Sequence, residues 1–199
     1  MKIYKIPILG PIIDIVNSYA YRGNPQSLKH FAPFSLWIKR LLINILIATF
    51  IAIISVETSY YYAMDFKPQD ISLSIFPSIL GFGIGVFALL FSIPESIIDL
   101  IEDKKENGSI DFDARILISD MAYPLAIYSI IILISSILKP FGSQIFYLDY
   151  IGSFLLFYGL LITLELIYSI FNTSKLIMNK KISSSKERRT PPKKKWFQS

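Results

Sequence analysis

The sequence has no cysteine, and His30 is its single histidine. Without cysteine, disulfides, thiolate metal sites, haem attachment and cysteine nucleophiles are excluded. One histidine cannot build a histidine metal cluster, and a catalytic triad would have to use that residue. Charge is scarce as well, since 18% of the 199 residues are Asp, Glu, Lys or Arg, against about a quarter in a soluble domain. These shortages exclude a secreted disulfide scaffold, a zinc protein and a thiol redox enzyme.

Apolar residues dominate the chain, at 53% of the total with a mean hydropathy of +0.50. Four continuous apolar stretches reach the length of about 20 residues that a helix needs to cross a hydrocarbon core about 30 Å thick. They cover residues 38–58, 72–93, 116–138 and 150–171. Continuous runs favour helices over the alternating pattern of a transmembrane barrel. The sequence therefore predicts an all-α, polytopic integral membrane protein with four transmembrane helices.

Basic residues are unevenly distributed between the connections. Of the 20 Lys and Arg residues, only Lys67 and Lys139 lie in the two connections that follow spans one and three. The positive-inside rule then predicts a bacterial-type inner-membrane protein with both termini in the cytoplasm. The predicted parts are a cytoplasmic or interfacial segment (1–35), a transmembrane domain (36–172) with an inner loop (94–115), and a basic cytoplasmic tail (173–199).

Two short helices are predicted outside the spans. The first begins at Pro11 and ends near Gly23, because proline suits the first helical position and glycine the end. Its apolar face comprises Ile12, Ile15, Val16 and Tyr19. We expect this helix to lie on the inner membrane surface, with packing against the spans as the alternative. The second begins at Pro94 in the inner loop. We expect no cofactor and no metal site anywhere in the chain.

Small residues form one stripe along span two, at spacings of three and four. The stripe comprises Ser74, Ser78, Gly81, Gly85, Ala88 and Ser92. Such stripes let helix backbones approach closely in membranes. The pattern predicts helix packing within or between subunits of a homo-oligomer. The alternative is the lining of a pore.

Charged side chains within or beside the spans gather toward the predicted cytoplasmic side. They are Glu165, Asp120, Glu95, Lys39 and Arg40. A charge at such depth is costly and marks either a functional site or a buried pair. One interpretation is a proton- or cation-responsive site around Glu165. The other is an ion pair of Glu165 with Lys39 or Arg40.

The end of the chain is strongly basic. Residues 179–199 hold eight basic side chains against one acid, with serine and proline clusters, and are expected to be disordered when free. The candidate binding residues are Lys186, Arg188, Arg189, Lys193, Lys194, Lys195 and Trp196. Beside a span, the expected partners are anionic lipid headgroups or an acidic protein surface, and nucleic acid is disfavoured. The plainer alternative is a topology signal alone.

Motifs for catalysis are missing from the sequence. It has no P-loop, no G-x-S-x-G and no H-E-x-x-H, so no catalytic residue is assigned. Residues 79–95, ILGFGIGVFALLFSIPE, together with the layout of four spans in about 200 residues, resemble small membrane proteins of prokaryotic antiphage systems, in particular the Kiwa-type membrane subunit. That resemblance implies an oligomeric membrane sensor or effector with a cytoplasmic protein partner.

Three functions follow as hypotheses. The first is a non-enzymatic oligomeric subunit that responds at the inner membrane and recruits a cytoplasmic partner, in antiphage defence if the resemblance holds. The second is a small channel or pore-forming effector lined by span two, with Glu165 setting cation preference. The third is a membrane-bound lipid enzyme that uses Glu165 and Asp120 as an acid and base.

Overall fold

The computed structural model describes residues 9–22, 24–28, 30–89, 116–141 and 147–189, and every regular element in these ranges is helical. The α-helices are α1 (Leu9–Ala20), α2 (Phe34–Tyr61), α3 (Pro68–Leu89), α4 (Ile116–Leu138) and α5 (Tyr147–Arg189). Short 3-10 turns occupy Pro25–Leu28 and Lys139–Phe141. The all-α fold is therefore confirmed, and no strand occurs in the described ranges.

Helices α2 to α5 coincide with the predicted spans. Each is long and apolar enough to cross a membrane, as the four unbroken apolar runs predicted. Prolines set two of the boundaries, since Pro33 precedes α2 in an extended conformation and Pro68 occupies the first position of α3. The inner loop 94–115, with its expected helix at Pro94, lies outside the described residues.

The core of the bundle forms where α3, α4 and α5 meet. Phe76, Tyr128, Ile131 and Ile162 are almost completely buried there, and the rings of Phe76 and Tyr128 stack with centroids 5.5 Å apart. Helix α2 packs mainly on α5. The buried face of α2 consists of Asn44, Ala48, Ala52 and Val56. Its larger residues, such as Phe50, point away from the bundle, so they are available to lipid.

Glycines on α5 allow α3 to approach its backbone. A Cβ atom on Gly152 would lie 2.8 Å from the side-chain nitrogen of Gln69, and one on Gly159 would lie 2.7 Å from Cδ1 of Ile131 and against the ring of Phe76. Real Cβ atoms do not come this close. A larger residue at either position would therefore force the neighbouring side chains of α3 and α4 to shift.

Helix α1 packs against the spans. We had expected it on the membrane surface, and the structure shows the alternative. Asn17 is fully buried and fixes the following segment, because its Nδ2 donates to the carbonyls of Ser27 and His30 and its Oδ1 accepts from the N–H of Ala32. The predicted apolar face is the one that packs inward, with Tyr19 at 2% exposure. Helix α1 is thereby part of the folded bundle.

Helix α5 is longer than the sequence predicts. It runs for 43 residues, through Arg189, whereas we expected disorder from residue 179 onward. The expectation of disorder is therefore wrong for residues 179–189. A helical span supplies an already nucleated helix, and adding residues to an existing helix is far less costly than starting one. Residues 190–199 lie outside the described residues.

Candidate functional site

A buried ion pair joins α2 to α4. Arg40 lies in the second turn of α2, and its Nη2 stands 2.7 Å from Oδ1 of Asp120, near the start of α4. The two side chains are only 19% and 16% exposed. Two charges at this depth are stable only when each is paired and hydrogen-bonded. The pair joins the two helices at one end of the bundle. We call this end, which holds Arg40 and Asp120, the charged end of the bundle.

Tyr19 connects α1 to the same place. Its hydroxyl donates a 2.6 Å hydrogen bond to Oε2 of Glu165 on α5. The guanidinium carbon of Arg40 lies 4.3 Å from the centre of the Tyr19 ring, a cation–π arrangement. The other stacking partner of that ring is Tyr123 of α4, at 3.9 Å and 8° between planes. The Tyr19 side chain thus contacts three transmembrane helices, α2 and α4 through its ring and α5 through its hydroxyl.

The hydrogen bonding continues along α4 and α5. The hydroxyls of Tyr123 and Tyr158 lie 2.5 Å apart, and either one can be the donor. The Tyr158 ring also stacks on Phe154. We call these linked side chains the buried polar network. The network comprises Tyr19, Arg40, Asp120, Tyr123, Tyr158 and Glu165.

The electrostatics of the network centre on Arg40. Its cation is close enough to act on Asp120, Tyr19 and Glu165 together. Burial raises the pKa of the Tyr19 phenol well above its usual range, an effect that Arg40 opposes and the hydrogen bond to Glu165 reinforces. Tyr19 is therefore a neutral donor at every physiological pH. Within the described residues, Nε of Arg40 and Nδ2 of Asn44 are buried without a hydrogen-bond partner.

The structure brings together three of the five charged residues named from the sequence. Glu165, Asp120 and Arg40 share the network, but the pairing differs from our expectation, since Arg40 pairs with Asp120 and Glu165 accepts from Tyr19. Lys39 is exposed on α2. Glu95 lies outside the described residues. The reason for the difference is that α1 docks on the bundle and supplies Glu165 with a neutral donor.

The small-residue stripe of α3 faces outward. Its described members are all exposed: Ser74, Ser78, Gly81, Gly85 and Ala88. A Cβ atom on either glycine of the stripe would meet nothing within 4 Å. The stripe is therefore not buried against another helix in the part of the subunit that the structure describes, and Ser92 lies outside that part. Packing within the subunit is carried instead by Gly83, whose Cβ would lie 2.5 Å from Leu125.

The basic end of the chain is divided by the limit of the described residues. Lys186, Arg188 and Arg189 belong to the last turns of α5. Lys193, Lys194, Lys195 and Trp196 lie outside the described residues. The first three are thus joined to the network by one continuous helix.

Sequence reasoning missed the aromatic half of the network. Tyr123 and Tyr158 lie in the middle of apolar runs, and a buried phenol needs a hydrogen-bond partner. That requirement was a usable signal, because two phenols on neighbouring spans can satisfy each other. For Tyr19 the spacing of apolar residues predicted which face of α1 is buried, but it did not predict the residues that Tyr19 contacts.

These features define the chain as a multi-pass helical membrane protein with a buried polar network at one end of its bundle. Comparison with known proteins found no matching family model, no similar curated protein and no similar solved structure. Among the described residues, no group of three or more His, Asp or Glu side chains is arranged to hold a metal ion.

Proposed function

We propose that this chain is a non-enzymatic, oligomeric subunit of a bacterial inner membrane that responds to events at the membrane and recruits a cytoplasmic partner. The observation that carries the proposal is the hydrogen bond from Tyr19 to Glu165 beside the Arg40–Asp120 pair. Polar side chains in a membrane domain are costly and are commonly functional. Here they link a helix outside the spans to three of the spans.

The network provides a physical basis for a response. If α1 leaves the bundle, Glu165 loses its donor and Arg40 loses the aromatic face of Tyr19. The two arrangements of α1 then differ in the environment of Glu165, which lies on α5. Because α5 continues without a break to Arg189, a shift of α5 would move the basic end of the helix. This two-state docking of α1 is the element that a membrane event would bias.

Recruitment rests on the basic end of the chain. Lys186, Arg188 and Arg189 close the helix, and the residues after them add further positive charge. An acidic surface on a soluble protein is the complementary partner. The orientation with both termini in the cytoplasm rests on the distribution of Lys and Arg.

Assembly into an oligomer is supported by the exposed stripe on α3. Gly81 and Gly85 have open space beside them, and a small-residue face of this kind suits close contact with a second helix. A channel lined by span two would use the same stripe. Since Phe76 and Ile162 fill the centre of the described bundle, such a channel would have to run along an axis between subunits.

Two measurements on one set of variants test the proposal. The first is co-purification of a soluble protein from native membranes in low salt, with the wild-type chain and with Lys186, Arg188 and Arg189 changed together to Gln. We expect the partner to be lost in the triple variant and, at high salt, in the wild type, because surface attraction is screened. The change Lys175→Gln, which also removes positive charge from α5, is the matched control and should retain the partner.

The second measurement is ion flux in liposomes that contain the purified protein. The proposal expects no flux above that of empty liposomes. A cation flux that Glu165→Gln abolishes would establish the channel and overturn the recruiting subunit as the main function. A triple variant that keeps its partner would reduce the basic end to a topology signal.

A role in antiphage defence is the narrower form of this proposal. It rests on the resemblance of residues 79–95 and of the layout of four spans in about 200 residues. Phage plating on cells that carry the chain and its neighbouring genes tests it, with Glu165→Gln as the variant. Equal plating with and without the genes would remove this role and leave the recruiting subunit to stand on the co-purification result.

A further inference from the structure

A polar cavity of about 330 Å³ opens beside the charged end of the bundle, between the end of α1 and the start of α2. The polar residues that line it are Tyr21, Arg22, Asn24, Gln26, Lys39 and Arg40. No acidic side chain lines the cavity among the described residues. Its volume suits a headgroup rather than a whole lipid, since pockets for small ligands start at about 300 Å³.

Three cations converge on this cavity. Arg22 and Lys39 are exposed, while Arg40 is mostly buried. Asp120 contacts Nη2 of Arg40, and Nε of the same guanidinium has no hydrogen-bond partner among the described residues. Asp120 and Glu165 are the two carboxylates that act on Arg40, so three positive charges stand against two negative ones. The excess favours an anionic ligand with several acceptor oxygens, which is the chemistry of a phosphate.

The backbone holds these side chains in place. Arg22 has a φ of 52°, in the left-handed region where glycine or asparagine is the usual residue. Its N–H donates to the carbonyl of Tyr19. Asn24 accepts from the N–H of Gln26 through Oδ1 and keeps its amide nitrogen as a donor. The turn thus presents a cation and two amide side chains to the same space.

The cavity lies at the end of α2 where its apolar run begins, which is where the sequence predicts a membrane surface. Lys39 and Arg40 immediately precede the unbroken apolar run that begins at Leu41. One turn earlier Trp37, an interfacial residue type, donates through Nε1 to the carbonyl of Ala32. Beyond the cations the outer face of α2 is exposed and apolar, with Leu42 and Ile43 at its start. A phosphate in the cavity would therefore have acyl chains beside it.

We propose that this cavity binds the phosphate of an anionic glycerophospholipid headgroup, held by Arg22, Lys39 and the guanidinium of Arg40. The acyl chains lie along the exposed apolar face of α2. The inference goes beyond the proposed function, because it needs neither the orientation of the chain nor a protein partner. It also assigns a role to Arg22 and Lys39, which take no part in the buried polar network.

The test measures lipid retention by the purified full chain in mild detergent. Native mass spectrometry compares phosphatidylglycerol with phosphatidylcholine for the wild type, Arg22→Gln and Lys39→Gln. We expect the wild type to prefer phosphatidylglycerol and each variant to lose affinity about five-fold, which corresponds to about 1 kcal/mol per charge near a lipid surface. The control Lys175→Gln removes an equal charge from an exposed site on α5 and should leave retention unchanged.

A competition experiment with inorganic phosphate distinguishes a site for a lipid phosphate from a site for free phosphate. Added phosphate should displace the lipid no better than sodium chloride at equal ionic strength. Stronger displacement by phosphate would mean a site for the free anion and overturn the lipid assignment. Equal losses in Lys175→Gln, unchanged retention in both cavity variants, or no preference for the anionic lipid would overturn it as well. The two cavity variants are separate, so one that elutes as a folded protein is sufficient.

Discussion

Tyr19 and Glu165, 146 residues apart in the chain, form a 2.6 Å hydrogen bond that attaches the N-terminal helix to the last span. The donor is a neutral phenol, so it satisfies Glu165 without bringing a positive charge into the bundle. The same ring lies under the guanidinium of Arg40. Glu165 therefore receives its hydrogen bond from a residue of α1, and the contacts of Tyr19 with the network hold α1 against the bundle.

The first prediction concerns this hydrogen bond. Tyr19→Phe keeps the ring but removes the donor, which should destabilise the purified protein by about 1–3 kcal/mol because Glu165 is left partly desolvated. Thermal unfolding in detergent measures the loss. Tyr150→Phe is the matched control, since Tyr150 donates to Glu57 at an exposed position. Equal small effects in both variants would show that α1 is not held by this bond.

The same bond has a defined pH dependence. Burial raises the pKa of Tyr19 in the folded protein, so the unfolded phenol, with a pKa of about 10, ionises first. The stability that this group contributes is fully present below about pH 10 and is lost as the pH rises above that value. Wild type and Tyr19→Phe should therefore converge in stability at high pH, and a constant difference up to pH 12 would contradict this.

A third prediction compares two ion pairs. Asp120→Asn leaves the mostly buried Arg40 without its counter-charge and should cost roughly 3 kcal/mol of stability. Asp70→Asn breaks the 2.9 Å pair with Lys139, whose side chains are about half exposed, and should cost about 1 kcal/mol or less. A cycle with Arg40→Gln then isolates the Arg40–Asp120 interaction. Indistinguishable losses at the two pairs would show that Arg40 and Asp120 are solvated.

A fourth prediction separates two classes of glycine. Gly159→Ala forces a methyl group against Phe76 and Ile131 and should destabilise the subunit by about 1–3 kcal/mol. Gly85→Ala has open space around it and should leave the subunit as stable as the wild type. In contrast, Gly85→Leu should dissociate the oligomer in mild detergent, as size-exclusion chromatography would show. An unchanged oligomer in both Gly81→Leu and Gly85→Leu would mean that the stripe faces lipid.

A fifth prediction concerns orientation, which the absence of native cysteine makes simple to test. A cysteine at Ser59, beyond the middle of α2, should react with an impermeant thiol reagent added to intact cells. A cysteine at Ser184 should react only after the cells are opened. The reverse pattern would invert the topology and place the basic end of the chain outside.

The spans could be predicted from the sequence because continuous apolar runs have one outcome in a membrane, which is a buried helix with its backbone hydrogen bonds satisfied. The docking of α1 on the bundle could not be predicted from the sequence. An amphipathic face such as that of Ile15, Val16 and Tyr19 can be buried in lipid headgroups or in protein, and the spacing of apolar residues is the same for both. The choice depends on partners in other helices, such as Tyr123 and Glu165, which are more than 100 residues away in the sequence.

The glycines show a similar limit. The stripe on α3 has the regular spacing of a packing motif, yet the close helix contacts in the subunit occur at Gly83, Gly152 and Gly159. Gly152 and Gly159 are seven residues apart, two helical turns, so they lie on one face of α5. That spacing was a detectable signal, but spacing alone does not tell which face meets a helix of the same chain.

The length of α5 determines how far from the bilayer its charges stand. The apolar part, Tyr147–Asn172, accounts for 26 of its residues, or about 39 Å at 1.5 Å per residue. Residues 173–189 extend a straight helix by about 25 Å more. At physiological ionic strength electrostatic attraction to a surface fades over about 8 Å. Lys186, Arg188 and Arg189 therefore lie about 20–25 Å past Asn172 along a straight helix, more than twice that screening distance.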